Sequence, residues 1–356
     1  MARIDSFLRL VKEQRASDLH LCVGSPPVIR FNGDLVPVKF RDLTNGELTR
    51  MLYETMNDAQ IAEFEKNMDI DFAYAVPGLS RYRVHVFLDD RGIGGAFRMI
   101  PEDIKSIDDL MLPQSLKRFA AFDKGLVLVT GATGSGKSTT LAAILNEVNQ
   151  ARKKHIITIE DPIEFIHRHK LSVFSQREVG THTADFASAL RSCLREAPDV
   201  ILIGELRDME TISLALTCSE TGTLVFGTLH TQSAAQTVDR IIDVFPTVQQ
   251  EQVRGMLSLN LRGVVSQTLV KTADETKRCA AVEVLFGSPA LGNLIRENKT
   301  YQIETLIQLG GYDKTGMQTL DQAIMRLIDE GRISPDEGRK HARDPSSFGK
   351  YFKAAG

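Results

Sequence analysis

The octapeptide Gly131-Ala132-Thr133-Gly134-Ser135-Gly136-Lys137-Ser138 follows directly on the apolar run Gly125-Leu126-Val127-Leu128-Val129-Thr130 and opens into Thr139-Thr140-Leu141-Ala142-Ala143-Ile144-Leu145. A buried-strand pattern, a GxxxxGK[ST] turn and a helix pattern in that order form a P-loop in its required context. Few features restrict a fold more. The strand must end where its helix begins, which points to an α/β architecture. The glycines let backbone N–H groups turn inward around phosphate oxygens, and the helix N-terminus adds partial positive charge. Lys137 is expected on the β- and γ-phosphates of a nucleoside triphosphate and Ser138 on Mg²⁺, with Thr133, Gly134, Ser135, Gly136 and Thr139 completing the cradle. A glycine-rich turn without a ligand is the alternative, and Lys-Ser at the correct offset after a buried strand argues against it.

The chain has 356 residues, long for one core, so two domains are expected. Its net charge of -3 speaks against a dedicated nucleic-acid binder, which usually carries a basic excess, although a local basic patch stays open. No run of eighteen apolar residues is present, and the N-terminus lacks the apolar core of a signal peptide. Cys22, Cys193, Cys218 and Cys279 are scattered without a CxxC pair, which supports neither a zinc site nor a disulfide framework. Reduced, mostly buried thiols and a cytoplasmic location are expected.

The first hundred residues read as a small α+β unit. A helix is expected over 4–14, strands over 18–23 and 27–31, and a hairpin turn at Asn32-Gly33-Asp34. Helices over 43–56 and 58–68 and strands over 69–76, 80–87 and 94–99 follow. Residues 1–99 thus form an N-terminal domain, 100–113 an interdomain linker, and 114–356 a second domain. That domain alternates strand 125–130, helix 137–149, strand 155–160, helix 183–195, strand 199–204, helix 208–219 and strand 223–228, the pattern of a parallel sheet covered on both faces. The tail from about 248 onward is expected to be mostly helical, with Val253, Met256, Leu257, Leu261, Val264 and Val265 at helical spacing in its core.

Three further clusters carry chemistry. Asp199-Val200-Ile201-Leu202-Ile203-Gly204-Glu205 is a buried strand ending in an acid, a Walker B pattern, expected beside the P-loop strand; Glu205 would support Mg²⁺, or simply pair with Arg207. Glu160-Asp161-Pro162-Ile163-Glu164 crowds three carboxylates at the end of a strand expected to neighbour the P-loop strand. At least one of them should titrate high unless a cation neutralises them, and Glu164 is the candidate base that polarises the attacking water. Gly227-Thr228-Leu229-His230-Thr231 ends another apolar strand and offers His230 as a γ-phosphate sensor.

Together these four blocks resemble, in order and spacing, the Walker A, Asp box, Walker B and His box of the secretion-superfamily ATPases, which drive type II secretion, type IV secretion and type IV pili. The resemblance extends to Ser17-Asp18-Leu19-His20-Leu21 and Arg81-Tyr82-Arg83-Val84. Three features resemble the PilT-type retraction branch. The chain is short, the tetracysteine zinc motif is absent, and Leu294-Ile295-Arg296-Glu297-Asn298-Lys299 is similar to that branch's Ala-Ile-Arg-x-x-Lys signature, with Leu294 for the usual Ala and Tyr301 for a usual His. The PilU-type paralogues are not distinguished by these features. The resemblance implies a homohexamer whose chains each carry a PAS-like N-terminal domain and a RecA-like C-terminal domain, with ATP and Mg²⁺ in the cleft between them. Arg81, Arg83 and Arg98 would close on the nucleotide. It also implies work on an inner-membrane platform protein and, through it, on pilin, from the cytoplasmic side of the inner membrane. Pilus assembly or secretion, a RecA-like nucleic-acid motor and a non-enzymatic scaffold are the rival readings.

Overall fold

The structure is a computed structural model that describes residues 2–31, 33–101 and 103–352. Met1, Asn32 of the expected turn, Glu102 of the expected linker and 353–356 of the expected helical tail lie outside the described residues. The chain forms two compact units, Met1–Asp103 and Ile104–Gly356.

The first unit contains α1 (Asp5–Glu13), β1 (Asp18–Leu21), β2 (Val28–Phe31), β3 (Asp34–Pro37), α2 (Asn45–Tyr53), α3 (Asp58–Asn67), β4 (Asp69–Val76), β5 (Ser80–Asp89) and β6 (Gly92–Ile100). Its antiparallel sheet has the order β3-β2-β1-β6-β5-β4. Capping boxes start α2 (Thr44 with Glu47) and α3 (Asn57 with Gln60), so the two helices begin where short polar side chains satisfy their first N–H groups. Period-two alternation on β5 sends Tyr82, Val84 and Val86 into the core and leaves Arg81, Arg83 and His85 on the opposite face. Tyr82 ties α1 to the sheet by donating to the Leu8 carbonyl at 2.9 Å. Gly95 on β6 allows α2 to approach, since a Cβ there would lie 2.8 Å from Leu52 Cδ2.

The second unit contains β7 (Gly125–Thr130), α4 (Lys137–Ala151), β8 (His155–Glu160), β9 (Val173–Glu178), α5 (Phe186–Cys193), β10 (Val200–Ile203), α6 (Met209–Glu220), β11 (Leu224–Leu229), α7 (Ala234–Asp243), α8 (Thr247–Asn260), β12 (Leu261–Lys271) and β13 (Arg278–Phe286). Five helices follow, α9 (Pro289–Arg296), α10 (Ile303–Gly310), α11 (Tyr312–Thr315), α12 (Leu320–Asp329) and α13 (Pro335–His341). The sheet has the order β13-β12-β7-β11-β10-β8-β9 and is parallel except between β12 and β13. Its central strands β7, β10 and β11 are buried along their whole length. Ile107 and Leu112 belong to this unit's core.

Two expectations about the sheet are overturned. The strand of Glu205 is not beside the P-loop strand, because β11 lies between them, and β8 lies one strand further out. Strand order in a doubly wound sheet is set by which crossover helices pack on which face, and sequence adjacency carries no record of it. The second correction concerns the tail. Leu261, Val264 and Val265 are buried, but on β12, which pairs with β7 on one side and β13 on the other. A short apolar run satisfies helical and strand spacing alike, and pairing on both edges decided for the strand. The strand β9 was not expected; only its partner β8 holds it at the sheet edge.

Among the described residues no helix is long and apolar enough to cross a membrane. Cys193, Cys218 and Cys279 are buried and Cys22 is half-buried. Burial pushes the Cys193 and Cys218 thiols up to about 11, so neither supplies a thiolate near neutrality.

Candidate active site

The P-loop leaves β7 with Gly131 at φ 144°, Gly134 at φ 75° and Gly136 at φ 88°. The first and last of these positions are also sterically closed to a side chain. A Cβ on Gly131 would lie 2.3 Å from the Gln267 carbonyl oxygen, and one on Gly136 2.8 Å from Gln267 Nε2. Gly136 then caps α4, whose first residue is Lys137. The Lys137 ammonium donates to the carbonyls of Gly131 (2.9 Å) and Ala132 (3.1 Å) at the start of its own loop. Burial holds its pKa below the usual lysine value, and the charge of Glu205 works in the opposite direction. Thr133, Gly134 and Ser138 are exposed, and Thr139 is half-buried. Ser135 is buried, yet its hydroxyl has no hydrogen-bond partner. An orphaned hydroxyl, a lysine whose hydrogen bonds go to neutral carbonyls and a glycine loop whose backbone holds positive φ at three positions all suit phosphate oxygens.

Gln267 of β12 secures this loop from below, a role the sequence reading missed. Its amide nitrogen donates to the Ser135 carbonyl, and its amide oxygen accepts from Thr140 Oγ1 at 2.8 Å. Beside it, the hydroxyls of Thr130 and Ser266 meet at 2.8 Å and join β7 to β12. The only signal available in sequence was the polar run Ser266-Gln267-Thr268 between the apolar pairs Val264-Val265 and Leu269-Val270.

The acidic groups and His230 lie at the carboxyl ends of β8, β10 and β11. Glu205, just past β10, pairs with Arg207 Nη2 at 2.7 Å and with His230 Nε2 at 3.3 Å. Both readings of Glu205 therefore meet in one place, since the partner of Arg207 is also the residue next to His230. Burial would raise the Glu205 carboxyl, but the hydrogen bonds and charges of Arg207 and His230 outweigh it and hold the group below the usual range. The insertion of β11 between β7 and β10 is what brings His230 to Glu205. Close approach is kept by Gly227, where a Cβ would lie 2.7 Å from Leu206 Cδ1.

Of the three clustered carboxylates, Glu160 is the one with the raised pKa. Burial pushes it up to about 7, against hydrogen bonds from Thr158 Oγ1 (2.7 Å), the Glu164 N–H (3.4 Å) and Gln176 Nε2 (3.3 Å). Glu164 itself is exposed. Ser138, Glu160, Gly204 and Thr228 line one cleft, with His167 at its back. The four sequence blocks thus share one end of the sheet.

Arg81 and Arg83 stand on β5 and Arg98 on β6, all in the first unit. The register sets Arg83 directly opposite Arg98 and Arg98 opposite Asp18. Asp18, 5% exposed, takes the Arg98 Nε at 2.8 Å and also faces Arg30 at 3.6 Å. Burial would raise its carboxyl, but the bonds from Ser17 and Arg98 carry it below the usual value. One buried carboxylate therefore orients an arginine that would otherwise repel its cross-strand neighbour.

Residues 105–329 match the family model described as type II/IV secretion system protein. The chain is similar to the type IV pilus retraction ATPase PilT of Pseudomonas aeruginosa, 49% identical over 345 residues that cover 97% of this chain and 99% of that protein. It is equally similar to a twitching motility protein of Neisseria gonorrhoeae, 49% identical over 343 residues covering 96% and 91%. Among solved structures, the pilus retraction motor PilT with bound ADP superposes with a TM-score of 0.89 at 42% identity, covering 96% of this chain and 98% of that one. With the nucleotide loop, the paired acids and the histidine placed as described, the chain belongs to the type II/IV secretion system protein family, in its branch of type IV pilus retraction ATPases.

Proposed function

We propose that this chain is a Mg²⁺-dependent ATPase that acts as a homohexameric motor of type IV pilus retraction, working from the cytoplasm on an inner-membrane platform protein and through it on pilin. The observation that carries the reading is the convergence of Lys137, Glu205 and His230 at the strand ends beside the Glu160–Glu164 pair. The first unit, with helices on one face of an antiparallel sheet, is read as the PAS-like domain.

ATP would supply the phosphoanhydride to be cleaved, and Mg²⁺, when bound, would supply positive charge against the phosphates. Lys137 leaves two neutral carbonyls for anionic oxygens, a stronger type of hydrogen bond. Ser138 would hold the metal through its hydroxyl, and Glu205 would support it. Glu164 accepts the proton of the attacking water. Glu160, whose carboxyl burial pushes up to about 7, lies buried, while Glu164 is exposed and is assigned as the base. His230, next to Glu205, senses the γ-phosphate. Arg81, Arg83 and Arg98 are assigned as reaction cations on their guanidinium chemistry, with Arg83→Ala as the test.

Glu164→Gln is expected to keep ATP bound and to lower turnover at least roughly a hundredfold, the scale of a lost general base. Glu205→Gln should weaken the Mg²⁺ dependence and turnover together, and Lys137→Ala should remove most turnover. Titrations with ATP and Mg²⁺ of the purified protein separate the three. ATP trapping by Glu205→Gln instead of Glu164→Gln would exchange their roles, and a strain with Glu164→Gln that still retracts its pili would end the motor reading.

A further inference from the structure

His230 sits on a short connection between β11 and α7, and something must hold that connection for the histidine to stay on Glu205. Its near end is fixed by the β11 ladder. At its far end, Ser233 caps α7, and the backbone N–H of Ala234 donates to Glu283 Oε1 at 2.7 Å. Glu283 comes from β13, and its side chain is only 1% exposed. A carboxylate that deeply buried needs a cation, and Arg343, from the segment after α13, supplies it by donating from Nη1 to Glu283 Oε2. The second arm of the same guanidinium donates from Nη2 to the carbonyl of Gln232, two residues after His230. Arg343 is itself fixed by Asp321 of α12, whose two carboxylate oxygens accept the backbone N–H groups of Arg343 and Asp344 at 2.8 and 2.9 Å. One planar fork thus joins the C-terminal segment, the last strand of the sheet and the histidine-bearing loop.

We propose that Arg343 is a positioning residue for the reaction: through the Gln232 carbonyl, and seated on Glu283, it holds His230 in register with Glu205 and so ties ATP turnover to the docking of the C-terminal segment. The inference rests on the reading of His230 as part of the reaction site. An arginine suits the place because separate arms of its guanidinium serve the two acceptors, Nη1 the Glu283 carboxylate and Nη2 the Gln232 carbonyl, and a lysine ammonium lacks the rigid fork. Arg343→Lys keeps a charge against Glu283 while giving up the hold on Gln232.

Steady-state ATPase assays on the full chain test this with Arg343→Lys, His230→Ala and their double variant. Arg343→Lys should lower kcat roughly tenfold, as expected for a displaced catalytic group, at an unchanged KM for ATP and an unchanged melting temperature. On the His230→Ala background it should cause no further loss. If Arg343→Lys melts early, the pair Glu283→Met with Arg343→Met removes both charges without leaving one unpaired, and it should show the same selective loss of kcat. Normal turnover in His230→Ala would remove the underlying reading of the histidine. A His230-dependent kcat combined with normal turnover in the Arg343 variants, or with additive losses in the double variant, would remove the positioning role alone.

Discussion

Gln267 and Lys137 show how single residues prepare the phosphate loop. The glutamine amide fills both sides of its valence, one toward the Ser135 carbonyl and one toward the Thr140 hydroxyl. Gln267→Ala leaves both partners buried and unsatisfied, a cost of about 1–3 kcal/mol for each such group, and frees the loop to adopt other shapes. We expect a higher Kd for a fluorescent ADP analogue and a lower Tm in this variant. An unchanged Kd would mean that the glycine backbone alone sets the cradle. The glycines and Lys137 were legible in sequence because their spacing is local. Gln267 was not, since it lies 127 positions from its partner Thr140 and nothing in its own neighbourhood marks it.

At the scale of the element, the end of β8 makes a prediction about pH. Glu160 has a folded value of about 7 against an ordinary 4.5, through burial. Between these values the folded chain holds a proton that the unfolded chain has released, so this group's contribution to stability is full below about 4.5 and is lost as pH rises toward 7. His167, stacked on Phe174 at 4.4 Å, is pushed by burial to about 4 from 6.5. There the unfolded chain holds the extra proton, and stability is lost as pH falls from 6.5 toward 4. The two slopes oppose each other where the windows overlap, so wild-type protein hides both. Glu160→Gln cannot titrate at that position. Its stability relative to wild type should climb between pH 4.5 and 7 by about 1.4 kcal/mol per pH unit and then level off. Urea unfolding of nucleotide-free protein across this range measures it; parallel curves would show that Glu160 ionises normally. The crowding of acids was legible in the sequence. Which of them is buried depends on how the turn after β8 folds over α4 and β10.

At the scale of the whole molecule, each unit has its own apolar core, and function requires turnover to be passed on as force. The segment resembling the retraction signature lies at the end of α9. Arg296 there donates to Ser258 Oγ of α8 at 3.1 Å and to Asn293. The two helices pack tightly enough that a Cβ on Gly292 would already lie 2.9 Å from the Ser258 carbonyl oxygen. Arg296 is exposed, so Arg296→Ala should cost no more than about 1 kcal/mol of stability. It should leave ATPase activity within roughly twofold of wild type, because its hydrogen bonds go to Ser258 and Asn293, outside the nucleotide loop and the acidic cluster, and yet abolish twitching in a complemented strain. Loss of ATPase activity with loss of assembly would make the segment structural instead.

By itself the sequence determined which residues make up most of the candidate site and most of the elements that carry them. A P-loop, a strand-end acid, an acidic turn and a strand-end histidine are local patterns, and local patterns survive in one dimension. Tertiary structure alone decided the rest. It placed β11 between β7 and β10, which is why His230 meets Glu205. It turned 261–271 into a strand that brings Gln267 under the phosphate loop, and it carried Arg343 back to the loop of His230. Each of these joins residues far apart in the chain, through helix packing on sheet faces and pairing along strand edges, and that information resides in the complementarity of surfaces that exist only once the chain has folded.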